Sequence, residues 1–239
     1  ILDDLNLQGD GLSVTARGRL EERIDFETAV TDLSLLLPRG KGELKGSGWL
    51  RWRNHYLTGD VQGQGNDLYF EHSHVPHLDF SGRHPTRGGS MEILVAASQP
   101  GYKNRSLKHA TLTVQGTPES HTFDLEGMVE GGETALKSRL EGSFLTGRWQ
   151  GILKTLSASD PYWGNWSLAK PASFYVAQEG WSFSTLSLQG VSGALLTVEG
   201  THQSGQSEGG LEMEWRQIPL QPLAKLLPET DLWGRSHGR

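Results

Sequence analysis

Cysteine is absent from the chain, which excludes disulfides, thiolate-bound metal and a cysteine nucleophile at once. Long apolar runs are absent too: no stretch approaches the ~20 residues that cross a bilayer as a helix, and no secretory leader is recognisable. Positive charge is scarce. With 22 Lys and Arg against 28 Asp and Glu, the net charge of −6 leaves no basic stripe to neutralise phosphates, so nucleic acid is not an expected partner. Apolar side chains make up 35% of 239 residues and 31 more residues are glycine, so an unusual share of the ~45–50% that an ordinary domain gives to apolar residues and glycine together brings no side chain to a core. Such a chain is expected to be sheet-rich and thinly cored.

Alternation is what the chain has in quantity. In "LSVTARGRL", Leu12, Val14, Ala16, Gly18 and Leu20 point one way and Ser13, Thr15, Arg17 and Arg19 the other, which is a strand with one wet face. The pattern returns in "LTGDVQG" from Leu57, "ATLTVQG" from Ala110, "HTFDLEGMV" from His121, "LKSRLEGSF" from Leu136 and "GLEMEW" from Gly210. About 14–16 strands are expected, mostly antiparallel because clean alternation marks a sheet with one solvated face. "QGDG", "PRGKG", "VEGGE" and "HQSGQSEGG" supply turns. The uneven spacing of Gly116, Gly127 and Gly142 argues against a strict solenoid and for a meander. One short helix is predicted near the end, in "PLQPLAKLLPET", opened by Pro219 or Pro222 and closed by Pro228.

Many glycines fall on the apolar face: Gly18, Gly59, Gly63, Gly116, Gly127, Gly142 and Gly200. Two readings are compatible: glycine permits strong twist and bulges, and a missing side chain leaves room for a guest.

Signs of chemistry are weak. "GQSEG" around Ser207 has the spacing of a nucleophile elbow but leads into a strand where that motif needs a helix. "HSHVPHLD" gathers His72, His74, His77 and Asp79, yet Pro76 is expected to break the strand and no second cluster completes a metal site. "GKGELKG" lacks the ending of a phosphate loop, and the glycosylation sequons at Asn104 and Asn165 are short patterns that match often by chance. No catalytic constellation emerges, no cofactor or metal is expected, and the chain is read as a non-enzyme.

The segment Gly142 to Gly200 carries a family resemblance. Gly147, Trp149, Gly151 and Leu153 form a Gly-x-Trp-x-Gly-x-Leu strand; Trp166, Leu168, Pro171 and Ala172 form a Trp-x-Leu-x-x-Pro-Ala strand; a Leu-x-Leu turn at Leu186 and Leu188 follows. Upstream stands "LKHATLTVQGTPESHTFDLEG" and downstream "IPLQPLAKLLPETDLWG". In this order the pieces, from Gly46 to Gly234, resemble the TamB members of the AsmA-like superfamily. The resemblance implies a segment of a longer periplasmic protein of a Gram-negative bacterium. An inner-membrane anchor is expected outside this chain, which is read as one elongated groove over residues 1–239. It also implies a long curled antiparallel sheet, a taco-like open groove or tube, that conducts phospholipids between the two membranes. An Omp85-type, TamA-like outer-membrane barrel is the implied partner.

An apolar groove would explain the alternation in its own terms. About 15 strands at ~4.8 Å make a sheet roughly 70 Å long. A lipid crossing water exposes some 30 methylenes at ~0.8 kcal/mol each, on the order of 20 kcal/mol, which a continuous apolar face removes. The residues expected to line the groove and touch acyl chains are Leu112, Val114, Phe123, Leu125, Leu136, Leu140, Phe144, Trp149, Leu153, Trp166, Leu168 and Val198. Two alternatives remain: an assembly factor for outer-membrane barrel proteins or autotransporters that engages polypeptide through strand edges, and a carbohydrate-binding sandwich whose tryptophans stack on sugars.

Overall fold

The computed structural model describes residues 2–54, 56–84, 88–103, 105–129, 135–160, 163–204, 209–219 and 235–238. Among them the fold is all-β and antiparallel, with eighteen strands. Among the described residues only two three-residue 3-10 turns, Leu33–Leu35 and Val191–Gly193, are helical. The count exceeds the expected 14–16 because short strands split off. Pro171 separates Gly164–Leu168 from Ala172–Ala177, and a two-residue strand stands at Gly101–Tyr102. The helix expected in "PLQPLAKLLPET" and the Ser207 motif lie outside the described residues, save Pro219, which ends a strand.

The chain divides into two compact units, residues 1–117 with 127–131 and residues 118–126 with 132–239. In the first, β1 (Leu2–Gly9), β2 (Leu12–Arg19), β3 (Arg23–Val30), β4 (Gly40–Arg53), β5 (Tyr56–Phe70) and β6 (Ser73–His84) pair each with the next. β6 then pairs with β7 (Met91–Ser98) and β8 (Gly101–Tyr102), and both of these pair with β9 (Arg105–Thr117). β10 (Ser120–Val129) is divided, its residues 120–126 belonging to the second unit and 127–129 to the first.

In the second unit β11 (Ala135–Leu145) pairs with β12 (Arg148–Asp160). β12 meets β13 (Gly164–Leu168) at one end and β14 (Ala172–Ala177) at the other, and β15 (Gly180–Gln189) pairs with both. β16 (Leu195–Gln203), β17 (Gly209–Pro219) and β18 (Arg235–Gly238) complete it. Each unit is a meander of hairpins, as the short turn-rich connections require.

Pro76 does not break its strand. β6 runs through it, because Pro76 falls between the stretch paired with β8, which ends at His74, and the stretch paired with β7, which starts at His77. A residue without an N–H is tolerated in such a gap.

Few residues are fully buried. Among the described residues the buried apolar side chains are Val30, Val114, Ala172 and Ala194. The usual buried core is replaced by a half-buried face.

Candidate functional site

Directly opposed residues share a face of a sheet, so register fixes what each face carries. In the first unit one row runs Leu5, Ala16, Phe26, Gly48, Val61, Gly82, Ile93, Val114 through eight strands. The next runs Leu7, Val14, Thr28, Gly46, Gly63, Phe80, Val95, Leu112, again without a charge. Leu112 and Val114, expected as groove residues, are the β9 ends of these rows. The opposite face carries Arg17, Asp25, Trp49, Asp60, Arg83 and Glu92 in one row.

The second unit has an equally consistent face. Phe144 opposes Trp149, which opposes Val176, which opposes Trp181, which opposes His202. Beside this row lie Gly142, Gly151, Phe174, Phe183, Gly200 and Leu211. Leu140 opposes Leu153, and Leu136 opposes Ala158, which opposes Trp166. Leu168 opposes Leu188, while Val198 stands between Leu186 and Met213. Phe123, with its ring 6.3 Å from that of Trp149, joins the same face. Leu125, two residues on, is half-buried.

This face is open to solvent in places. Phe144 is 50% exposed and Leu211 66%, with Val176, Trp181 and Met213 also exposed. Rings cover much of the rest: Phe174 stacks on Phe183 at 5.7 Å, and Phe183 on Trp181 at 5.9 Å. Leu186 and Leu188, expected as a turn, lie within β15, and sequence reasoning missed the ring stack, which depends on which strands are neighbours.

The glycines of this face are roofed by rings. A Cβ at Gly142 would stand 2.8–3.0 Å from the Trp149 indole, and one at Gly200 2.7 Å from Phe183; at Gly151 it would collide with Trp149 and at Gly63 with Phe80. The space left by these missing side chains is filled by the protein's own aromatics, so it is not room for a guest. Gly18 and Gly116 serve the other purpose, twist, with φ of 126° and 125° that L side chains rarely adopt.

A buried polar group sits within the apolar face besides the partly exposed His202. His121 is 5% exposed. Its Nε2 accepts a hydrogen bond from Trp149 Nε1 at 2.9 Å, and its Nδ1 donates to the Pro118 carbonyl at 3.1 Å. Alternation with Phe123 and Leu125 puts it on the apolar face, and a histidine at such a position was the available signal for it.

Two concavities among the described residues lie mainly elsewhere. One of about 680 Å³ in the first unit is lined by Ser13, Thr15, Glu27, Lys45, Gln62, Gln64, Asp79 and neighbours, and one of about 840 Å³ in the second by Glu141, Ser143, Gln150, Ile152, Ser173 and neighbours. Both sit mainly on the polar face, and none of the twelve expected groove residues lines either. Polar-face residues are also tied in ion pairs, such as Lys154 with Glu141 at 3.1 Å and Arg139 with Asp124 at 3.8 Å.

The histidine cluster is dispersed among local partners. His74 stacks on Tyr69 at 4.0 Å with Asp67 3.7 Å away, His77 bonds Asn66 at 2.8 Å and approaches Asp79 at 3.2 Å, and His72 meets Tyr102 edge-on. No group of three metal-ligating side chains converges among the described residues. Asn165 is in β13, where it accepts a hydrogen bond from Ser159 at 2.6 Å; Asn104 lies outside the described residues.

Antiparallel sheets with one mainly apolar and one mainly polar face define a β-sheet protein that presents an apolar surface. A family model described as TamB, N-terminal domain, matches residues 2–238, and the chain belongs to the TamB family. That is a family of transport and assembly proteins. No curated protein and no solved structure matches the chain. Among the described residues no helix is long and apolar enough to cross a membrane.

Proposed function

We propose that this chain is a periplasmic segment of a membrane-anchored protein and that its apolar faces conduct phospholipids between the inner and outer membranes. The observation that carries the proposal is the uncharged row: eight strands of the first unit contribute to each of two adjacent rows without one ionisable side chain, from Leu5 to Val114 and from Leu7 to Leu112. An acyl chain moving along such a face exchanges one apolar contact for the next. Each buried methylene is worth ~0.8 kcal/mol against water, so an unbroken row keeps the barrier between positions low. No bond is made or broken, and no catalytic side chain is needed. Membership of the TamB family supports a role of this class, and the outer-membrane barrel of the Omp85 type is the proposed receiving partner.

Replacing Leu140 with Arg tests it. Leu140 lies on the apolar face opposite Leu153, and a charge there costs an acyl chain several kcal/mol of desolvation. Phospholipid transfer in a reconstituted assay is expected to fall by at least about tenfold, since each 1.4 kcal/mol is a factor of ten, with the far-UV circular dichroism unchanged. Undiminished transfer by a folded variant contradicts the proposal. Capture of polypeptide alone on this face would favour assembly of barrel proteins.

A further inference from the structure

We propose that His121 is a positioning residue that pins the Trp149 indole flat against the sheet and so sets the depth of the apolar face between β11 and β12. The inference rests on the conduit reading for its consequence and on geometry alone for the latch. Three observations meet at one ring. The indole reaches across Gly142 and Gly151, whose bare backbones leave it room, because a Cβ at either would collide with it. Its Nε1–H is held by His121 Nε2 at 2.9 Å, and His121 is oriented in turn by donating from Nδ1 to the Pro118 carbonyl. Phe123 closes edge-on against both rings, at 5.1 Å from His121 and 6.3 Å from Trp149.

A buried imidazole with both nitrogens engaged has one compatible state: the neutral ring with its proton on Nδ1. Its acceptor is therefore permanently turned to the indole. Packing alone would be served by any apolar side chain at 121, and alternation with Phe123 and Leu125 calls for one. A histidine there trades apolar area for an acceptor at a fixed position, and a fixed indole is what that trade secures. Lying flat, the ring fills the shallow left by two glycines and keeps the face level with Leu140 and Leu153. Released, it would stand into the path of a chain sliding along these strands.

The test compares His121→Phe with His121→Gln, whose amide can accept from Trp149 and donate to Pro118. In His121→Phe the Trp149 indole N–H resonance, assigned by its loss in Trp149→Phe, is expected to move to the position of an unbonded indole. Photo-capture of an acyl-chain probe by a crosslinker at Leu153 should fall by about fivefold, the factor carried by one ordinary buried hydrogen bond. His121→Gln should restore both. Should His121→Phe fail to fold, His121→Asn, too short to span both partners, takes its place with the same expectations. An indole resonance that does not move, or capture that stays the same although the resonance has moved, overturns the proposal. If the unaltered chain captures no acyl probe at all, the conduit reading fails, and the resonance comparison still decides whether His121 holds the indole.

Discussion

A glycine beneath an aromatic ring and a glycine in open space look alike in a sequence but answer a methyl group differently. Gly151→Ala puts a Cβ into the Trp149 indole, whereas Gly9→Ala meets nothing within 4 Å. Overpacking of this kind costs about 1–3 kcal/mol, and an unopposed surface change stays within about 0.5 kcal/mol. Urea denaturation should therefore separate the two variants clearly, with Gly151→Ala the less stable. Equal midpoints would mean that the indole yields freely, against the pinned geometry described above. The alternation of these glycines with leucines and phenylalanines was legible from residue spacing. Their roofing by Trp149, Phe183 and Phe80 was not, because it depends on which strand lies beside which and on the register between them.

At the scale of the strand and hairpin, stability divides unevenly between the faces. Lys154 and Glu141 form an ion pair at 3.1 Å between β11 and β12, with both side chains well exposed. Exposed pairs contribute about 0–1 kcal/mol, so Lys154→Ala should leave the denaturation midpoint nearly unchanged. Val30, 2% exposed and opposed by Leu12 and Leu44, is different: Val30→Ala is expected to cost about 2 kcal/mol in lost burial and cavity. A larger loss from Lys154→Ala than from Val30→Ala would contradict this division. Strands such as β2 could be read almost to the residue, because their period of two is unbroken from Leu12 to Arg19. Pro76 misled for a specific reason. Its missing N–H matters only where a neighbour offers a carbonyl, and β6 changes neighbours at that point.

For the molecule as a whole, two units each carry a face of apolar side chains and a face of ion pairs and hydroxyls. The all-β antiparallel class was legible because alternation was sustained over many segments, and the family because the tryptophan block kept its order. The apolar face could be assembled from sequence only strand by strand, so Leu112 and Val114 were read as apolar-face residues without the seven strands that extend their rows from β1 to β7. His121 was the least legible part, since its meaning lies in its bond to Trp149, 28 residues away. The account's central claim, that the apolar face and not the polar face carries lipid, is tested most directly by two neighbouring positions. Leu153 faces Leu140 on the apolar side, and Ile152 lines the concavity on the polar side. A benzophenone amino acid placed at each in turn, irradiated in cells and analysed by mass spectrometry, should yield phospholipid adducts at position 153 and none at 152. Adducts at 152 alone, or polypeptide without lipid at 153, would contradict it.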